Sequence, residues 1–442
     1  MTLITSFRSP TLTESAMTGV AFQLLRCAGH VSLVPEDSIR HERNPMLTKD
    51  QHFRTQVGIV GAGPAGLLLA RILQLNGIGS VILERRSRDY VLARVRAGVL
   101  EQGTVDTLIQ YGAGERLKRE GIPHETVQLR WNGTRHDVPV VGENGQHMTT
   151  YGQAKIVEDL LLLRESDGLP IYFEAEVKAL EGIMDRPMIH FRHNGAPGAV
   201  ACDFIAGCDG YLGVSRSHIP NVSGHCYLKE YPFAWFGILA EAPPCKEISG
   251  FAHSRRGMAL ASARSTNLSR HYLQVVPDFD AATMKDHEIW DEFDRRFDDG
   301  SGSRLNRGPI IEKSVARLRG FVCEAMQYGK LCLAGDAAHI VPPSGAKGLN
   351  LAVGDVRVLA ESIRRLLKEN DGSLLERYSE ICLRRIWPTI HWSCSISEAL
   401  HYFPQQTEFE TRMQYATLDG WVSTSHGRAR FREATLGLPF EI

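Results

Sequence analysis

In this 442-residue chain, the residues that most clearly imply chemistry are Gly61-Ala62-Gly63-Pro64-Ala65-Gly66, followed 18 residues beyond Gly66 by Glu84. Gly61 permits a tight turn, Gly63 lets a pyrophosphate approach the backbone, and Gly66 lets a helix pack closely on the strand before it, with Ala65 in the same cradle. An acid at the distance of Glu84 accepts hydrogen bonds from both hydroxyls of an adenosine ribose and repels a 2′-phosphate, which favours FAD or NAD over NADP.

The elements that must position these residues are legible around them. Val57-Gly58-Ile59-Val60 and Ser80-Val81-Ile82-Leu83 read as buried parallel strands, and a helix is expected over Leu67–Asn76, its N-terminal N–H groups facing the phosphates. Strand-like alternation returns over 125–141, 171–205 and 231–276, which predicts a second, mostly antiparallel sheet. From Leu351 to about Trp392 the pattern is helical.

Composition narrows the classes. With 50 basic and 51 acidic residues, 43% hydrophobic and 23% charged, the chain reads as an ordinary globular protein, not a general nucleic-acid or anionic-membrane binder. No run approaches the length of a membrane span, and the nine cysteines lack metal or dithiol spacing, so no metal is expected and the thiols read as reduced and cytoplasmic. Residues 1–34 are rich in Ser and Thr, with Arg8, Arg26 and only Glu14 as an acid; this faintly resembles a transit peptide, but a disordered tail or an over-long start before Met46 is preferred.

Two further motifs follow the first in order, Cys208-Asp209-Gly210 and Gly335-Asp336-Ala337-Ala338-His339. Together with Arg96-Ala97-Gly98-Val99-Leu100-Glu101-Gln102-Gly103 and the run Leu333 to Pro343, they resemble the single-component flavoprotein aromatic hydroxylases, most closely the 4-hydroxybenzoate 3-monooxygenase family, from about Thr55 to the C-terminus. The resemblance implies an α/β fold: a Rossmann-like FAD-binding domain, a mostly antiparallel substrate domain and a C-terminal helical region. The expected boundaries are an N-terminal extension at 1–53, the FAD domain at 54–225, the substrate domain at 226–340 with strands returning to the FAD domain, and the helical interface region at 341–442. It also implies FAD at the opening motif, with Glu84 on the ribose, Arg96 and Gln153 near the cofactor, Asp336 toward the ribityl chain, and Gly345, Lys347, Gly348, Leu349 and Asn350 along the flavin ring. Asp209 belongs to the same cofactor set. A helix N-cap is the other reading of Asp336, and a turn residue that of Asp209.

NADPH, or NADH, is the implied hydride donor. Arg85, Arg86, Tyr90, Arg94, Arg96, Arg216 and Arg319 match or adjoin the family's nucleotide contacts, although a solvated arginine explains Arg86 equally well. By the same resemblance Ser262, Arg264 and Tyr272 hold the carboxylate of a benzoate, and Trp235, Val99 and Leu260 wall its ring. A bidentate arginine–carboxylate pair would fix both the position and the plane of such an acid, whereas a surface ion pair is the alternative for Arg264. Reduced flavin and dioxygen would deliver one oxygen atom to an electron-rich ring carbon. The Pro343 carbonyl would meet the group para to the carboxylate. The family implies a homodimer through the C-terminal helices.

One departure stands out. Relatives that hydroxylate phenols pass the phenolic proton through two tyrosines and a histidine; here Phe251 and Thr435 occupy the tyrosine positions and His124 the histidine. Phe251 cannot carry a proton. Either a water or Thr435 substitutes and the substrate is 4-hydroxybenzoate, or the para group needs no deprotonation, as in 4-aminobenzoate. Ser249 and Gly250 beside Phe251 enlarge the pocket floor. A non-catalytic flavoprotein and an NAD-dependent dehydrogenase are the readings from other classes.

Overall fold

The computed structural model describes residues 51–94 and 98–440, so the expectations for residues 1–50 and for Arg96 lie outside the described residues. Two eight-stranded sheets and a three-stranded one carry the molecule, with long helices completing its C-terminal part.

The first sheet runs Gln327–Tyr328, Leu331–Leu333, Ala196–Gly207, Gln51–Val60, Ser80–Leu83 and Ile171–Tyr172, with the strands Ala175–Glu181 and Met188–His193 adding to Ala196–Gly207. Its central pairs are parallel, with Val57 opposite Ser80 and Phe204. Parallel strands are covered on both faces, which is why Val57–Val60 and Ser80–Leu83 are continuously buried. The first strand begins at Gln51, inside the segment expected to precede the fold, because Phe53 packs its ring on Tyr172 and Phe191. The helix expected from Leu67 begins at Pro64 and ends at Leu75; proline is favoured in a first turn, where its missing N–H costs nothing.

The second sheet runs His339–Ile340, Ile310–Cys323, Cys226–Ala240, Ser269–Val275, Ala259–Ala263, Gly250–Ala252, Thr126–Trp131 and Thr134–Pro139, and it is antiparallel except where Gly250–Ala252 meets Thr126–Trp131. It therefore recruits the hairpin Thr126–Pro139 from the stretch expected in the FAD domain. Alternation marks such strands in the sequence, but their pairing partner is a long-range choice. Helix Asp286–Phe297 covers one face, packing Ile289, Trp290 and Phe293 among Phe236, Ile238 and Leu273. A small sheet of Val99–Leu100, Met148–Thr150 and Ile122–His124 sets Val99 and Ile122 on either side of Thr150.

The helices Gly348–Glu369, Tyr378–Leu400, Glu408–Ser423 and Ser425–Leu436 complete the chain. Thr407 and Glu410 close a reciprocal cap at the start of the third of these. Among the described residues no helix is long and apolar enough to cross a membrane.

Candidate active site

The three glycine motifs, far apart in sequence, converge at one end of the parallel sheet. Gly61 has φ +105°, and a Cβ there would stand 2.5 Å from the Cys208 carbonyl oxygen. At Gly66 a Cβ would lie 2.1 Å from the Gly61 oxygen, so helix and turn touch only because both residues lack side chains. At Gly63, by contrast, a Cβ would meet nothing within 4 Å. A Cβ at Gly335, where φ is +65°, would stand 3.4 Å from Ala65 Cβ, and one at Gly210 would stand 4.0 Å from Asp336 Cβ. The result is an open backbone surface at a helix N-terminus, the form and charge that a dinucleotide pyrophosphate fits, with Asp336 half-buried nearby.

Local hydrogen bonds fix this cradle. The Glu84 carboxylate accepts the N–H groups of Ala62 and Arg86, both at 2.8 Å, and keeps lone pairs for further donors. Asp209 Oδ2 accepts both the N–H and the hydroxyl of Ser215 at 2.9 and 3.0 Å, while its Oδ1 is buried without a partner. Asp209 thus does the work of a turn residue, and burial raises its pKa. The Gly335 N–H donates to Asp355 Oδ2, which also lies 2.6 Å from His339 Nε2. Burial works against a charge on His339, but the Asp355 carboxylate raises its pKa above the ordinary value. Nothing in the spacing of Asp355 revealed this role.

Lys347 and Asn350 turn out to be supports. Lys347 is 1% exposed and gives its ammonium to Glu101 at 2.8 Å and to the Thr435 carbonyl; burial lowers its pKa, with Glu101 opposing. Both Asn350 Nδ2 hydrogens are spent on the carbonyls of Val99 and Ala346, and its Oδ1 accepts the Glu101 N–H at 2.9 Å. What remains for a flavin is the backbone: Ala346 at φ +54° turns the chain into helix Gly348–Glu369, leaving Gly348 and Leu349 half-buried in its first turn, where helical N–H groups lack carbonyl partners. Gln153 begins helix Gln153–Ser166, beside Gly98, whose Cβ would collide with the Tyr151 oxygen at 2.0 Å.

The basic residues divide. Arg85, Arg86 and Arg94 are exposed, with Arg86 over the Tyr90 ring at 5.0 Å. Arg216 is committed to the carbonyls of Ala337 and Tyr211, and both Arg216 and Arg319 stack on Tyr211.

A second constellation lies on one face of the antiparallel sheet. Leu129, Phe251, Leu260, Tyr272 and Gly237 stand opposite one another across neighbouring strands, so their side chains share a face. Trp235 and Ser262 join that face two residues along. Gly237 makes room for the Tyr272 ring, to which its Cβ would come within 2.8 Å, and Trp235 packs on Tyr272 at 4.8 Å. Trp235 is fixed in turn by His401: its indole N–H donates to His401 Nε2 at 2.6 Å, and Ser397 accepts from Nδ1. Ser262 Oγ donates to the Arg270 carbonyl, leaving its lone pairs.

Arg264 follows this face at the strand end. Its Nε is buried without a hydrogen-bond partner, and among the described residues it forms no salt bridge. Burial lowers its pKa, the Tyr272 hydroxyl opposes, and a guanidinium stays charged regardless. His124 Nε2 lies 2.5 Å from the Thr150 hydroxyl, and burial together with the Arg264 charge lowers its pKa, which favours the neutral imidazole. Phe251 is buried in the apolar cluster with Leu129 and Trp235. Pro343, itself exposed, opens a turn in which its carbonyl accepts the Ala346 N–H at 3.0 Å and Ser344 is buried. Thr435 sits in the last turn of Ser425–Leu436.

A glycine-turn cradle at a helix N-terminus marks a dinucleotide-binding protein, the sheet face beside Arg264 offers a cation with no anionic partner among the described residues, and the comparisons specify the class. The FAD binding domain family matches residues 54–393. The p-hydroxybenzoate hydroxylase of Acinetobacter baylyi is 41% identical over 393 residues, covering 89% of this chain and 97% of that protein. A Streptomyces rimosus protein, 12-dehydrotetracycline 5-monooxygenase/anhydrotetracycline 6-monooxygenase, is 27% identical over 69% of this chain and 61% of its own. Among solved structures, p-nitrophenol 4-monooxygenase PnpA from Pseudomonas putida DLL-E4 shares the fold with a TM-score of 0.73 at 19% identity, over 88% of this chain and all of that one. The chain belongs to the FAD binding domain family and, within it, to the p-hydroxybenzoate hydroxylase family. It is a flavin-dependent aromatic hydroxylase, a monooxygenase that binds FAD.

Proposed function

We propose that this enzyme uses NADPH and dioxygen to hydroxylate the ring of a small para-substituted benzoate. The observation that carries the reading is Arg264, half-buried with its Nε shielded from solvent and unbonded and with no anionic partner among the described residues, at the edge of a face formed by Leu260, Ser262, Tyr272 and Trp235. A buried charge is costly until paired, so the site is built to be completed by a carboxylate. Arg264 would hold that group with Ser262 and Tyr272, Trp235 and Leu260 would clamp the ring and exclude water, and Val99 would close its other side. The Pro343 carbonyl, which keeps a second lone pair, would accept a hydrogen bond from the para substituent.

FAD, when bound, carries the hydride from the nicotinamide and activates dioxygen. Gly61, Gly63, Ala65 and Gly66 would receive its pyrophosphate, Glu84 its ribose, Asp336 its ribityl chain, and the N–H groups from Gly348 its ring. Exposed Arg85, Arg86 and Arg94 would meet the phosphates of NADPH.

The 41% identical relative is named for p-hydroxybenzoate, which supports 4-hydroxybenzoate as the first substrate to try. Phe251 favours a second, 4-aminobenzoate: the buried ring offers no proton acceptor, and an amine lone pair enriches the ortho carbon without deprotonation. Product formation and substrate-stimulated NADPH oxidation are to be compared for the two acids. Coupled turnover of 4-hydroxybenzoate across neutral pH would eliminate the amine, and coupled turnover of 4-aminobenzoate alone would establish it. Stimulation by neither acid would refute the benzoate reading.

A further inference from the structure

We propose that Cys226 and Cys323 form a peroxide-responsive dithiol that closes into a disulfide across the two strands joining the sheets. Cys226 opens the strand Cys226–Ala240, Cys323 ends Ile310–Cys323, and the two face each other in antiparallel register. One step outward, the Glu324 N–H donates to the His225 carbonyl at 2.9 Å, and the Cys323 N–H points the other way, to Ala338 at 2.7 Å. The cysteines therefore occupy the site between ladder hydrogen bonds, where facing Cα atoms lie about 4.5 Å apart, a separation that a disulfide spans. Both are free thiols, Cys323 fully buried and Cys226 half-exposed.

Their place in the topology gives the bond a consequence. The chain leaves the first sheet at Gly207 and enters the second at Cys226; it leaves the second at Cys323 and re-enters the first at Gln327 and Leu331. A bond here would staple both crossings at one point. Arg216 lies over the Phe321 ring at 4.7 Å on the same stretch.

The oxidant is hydrogen peroxide, which a flavin-dependent monooxygenase releases whenever it reduces dioxygen without transferring it. The Cys226 thiolate attacks the O–O bond, giving a sulfenic acid and hydroxide that leaves as water. The Cys323 sulfur then attacks the sulfenic sulfur, loses its proton and expels a second water. Two thiols give up two electrons and the peroxide takes both. Burial, reinforced by the neighbouring Cys226, pushes the Cys323 thiol up to about 12 despite Arg216, so it stays protonated and resolves the sulfenic acid faster at alkaline pH.

The test treats the FAD-loaded enzyme with hydrogen peroxide at pH 8, denatures it, blocks remaining thiols with an alkylating agent, and maps non-reduced peptides. The expected result is loss of two alkylatable thiols, a linked Cys226–Cys323 peptide reversed by dithiothreitol, and a melting midpoint several degrees above the reduced protein. Cys226→Ser should keep Cys323 alkylatable, whereas Cys323→Ser should leave a sulfenic acid at Cys226 that dimedone traps. Oxidation of the half-buried Cys394 while Cys226 and Cys323 stay alkylatable would overturn the proposal. So would linkage to any other cysteine or to a second chain, and an unchanged midpoint would overturn the staple.

Discussion

Arg264 and Phe251 divide the chemistry between them: one asks for an anion, and the other withholds a proton path. Arg264→Ala is expected to raise the KM for the benzoate by roughly 30- to 150-fold, the equivalent of about 2–3 kcal/mol for a lost charged hydrogen-bonded pair. The same change should leave the melting temperature of the substrate-free protein level or higher, since it removes a largely shielded charge that has no anionic partner among the described residues. A large fall in that temperature would assign Arg264 to the fold instead. Phe251→Tyr would return a hydroxyl to the sheet face beside Leu260. With 4-hydroxybenzoate, it should speed turnover by about tenfold or more at pH 7, well below the phenol pKa of about 10, and the gain should fade as pH rises. With 4-aminobenzoate it should bring no gain.

At the scale of the element, the turn between strand Gln51–Val60 and helix Pro64–Leu75 separates fold from binding. Gly66→Ala places a methyl 2.1 Å from the Gly61 oxygen and should yield a destabilised, colourless protein, because the helix cannot back away without losing its seat. Gly63→Ala meets nothing within 4 Å. It should therefore leave the flavin-free stability within about 0.5 kcal/mol of the original and lower FAD affinity alone, as read by flavin fluorescence on release. Equal effects of the two substitutions on the flavin-free protein would contradict this division.

For the whole molecule, two fully buried histidines set the acid limit. Burial lowers His271 and His401 to about 3 in each case. Below about pH 6.5 the unfolded chain takes up protons that the folded one refuses. Folded pKa values below the unfolded ones mean stability that is complete above about pH 6.5 and lost as pH falls, by about 1.4 kcal/mol per pH unit for each residue, down to about pH 3. Protonated His401 would also forfeit the Trp235 hydrogen bond, so acid should loosen the aromatic wall as well. Thermal melts from pH 7 to 4 should show a fall that His401→Gln makes shallower. An identical slope in that variant would remove His401 from the account.

The opening motif, the strands beside it and the acid of Glu84 were legible in the sequence because each depends on neighbours a few residues away: a turn needs glycine, a covered strand needs an unbroken apolar run. The sequence also located Arg264 and Phe251, although only through likeness to a family. It could not show that Asn350 and Lys347 spend their side chains on Val99, Ala346, Glu101 and Thr435, that Asp355 braces His339 and Gly335, or that His401 steadies Trp235. Those are pairings between residues distant in the chain, and local spacing carries no record of them. Only the tertiary structure decided which charges are satisfied from within, and it left Arg264 without an anionic partner among the described residues, which is why the proposed carboxylate is assigned to it.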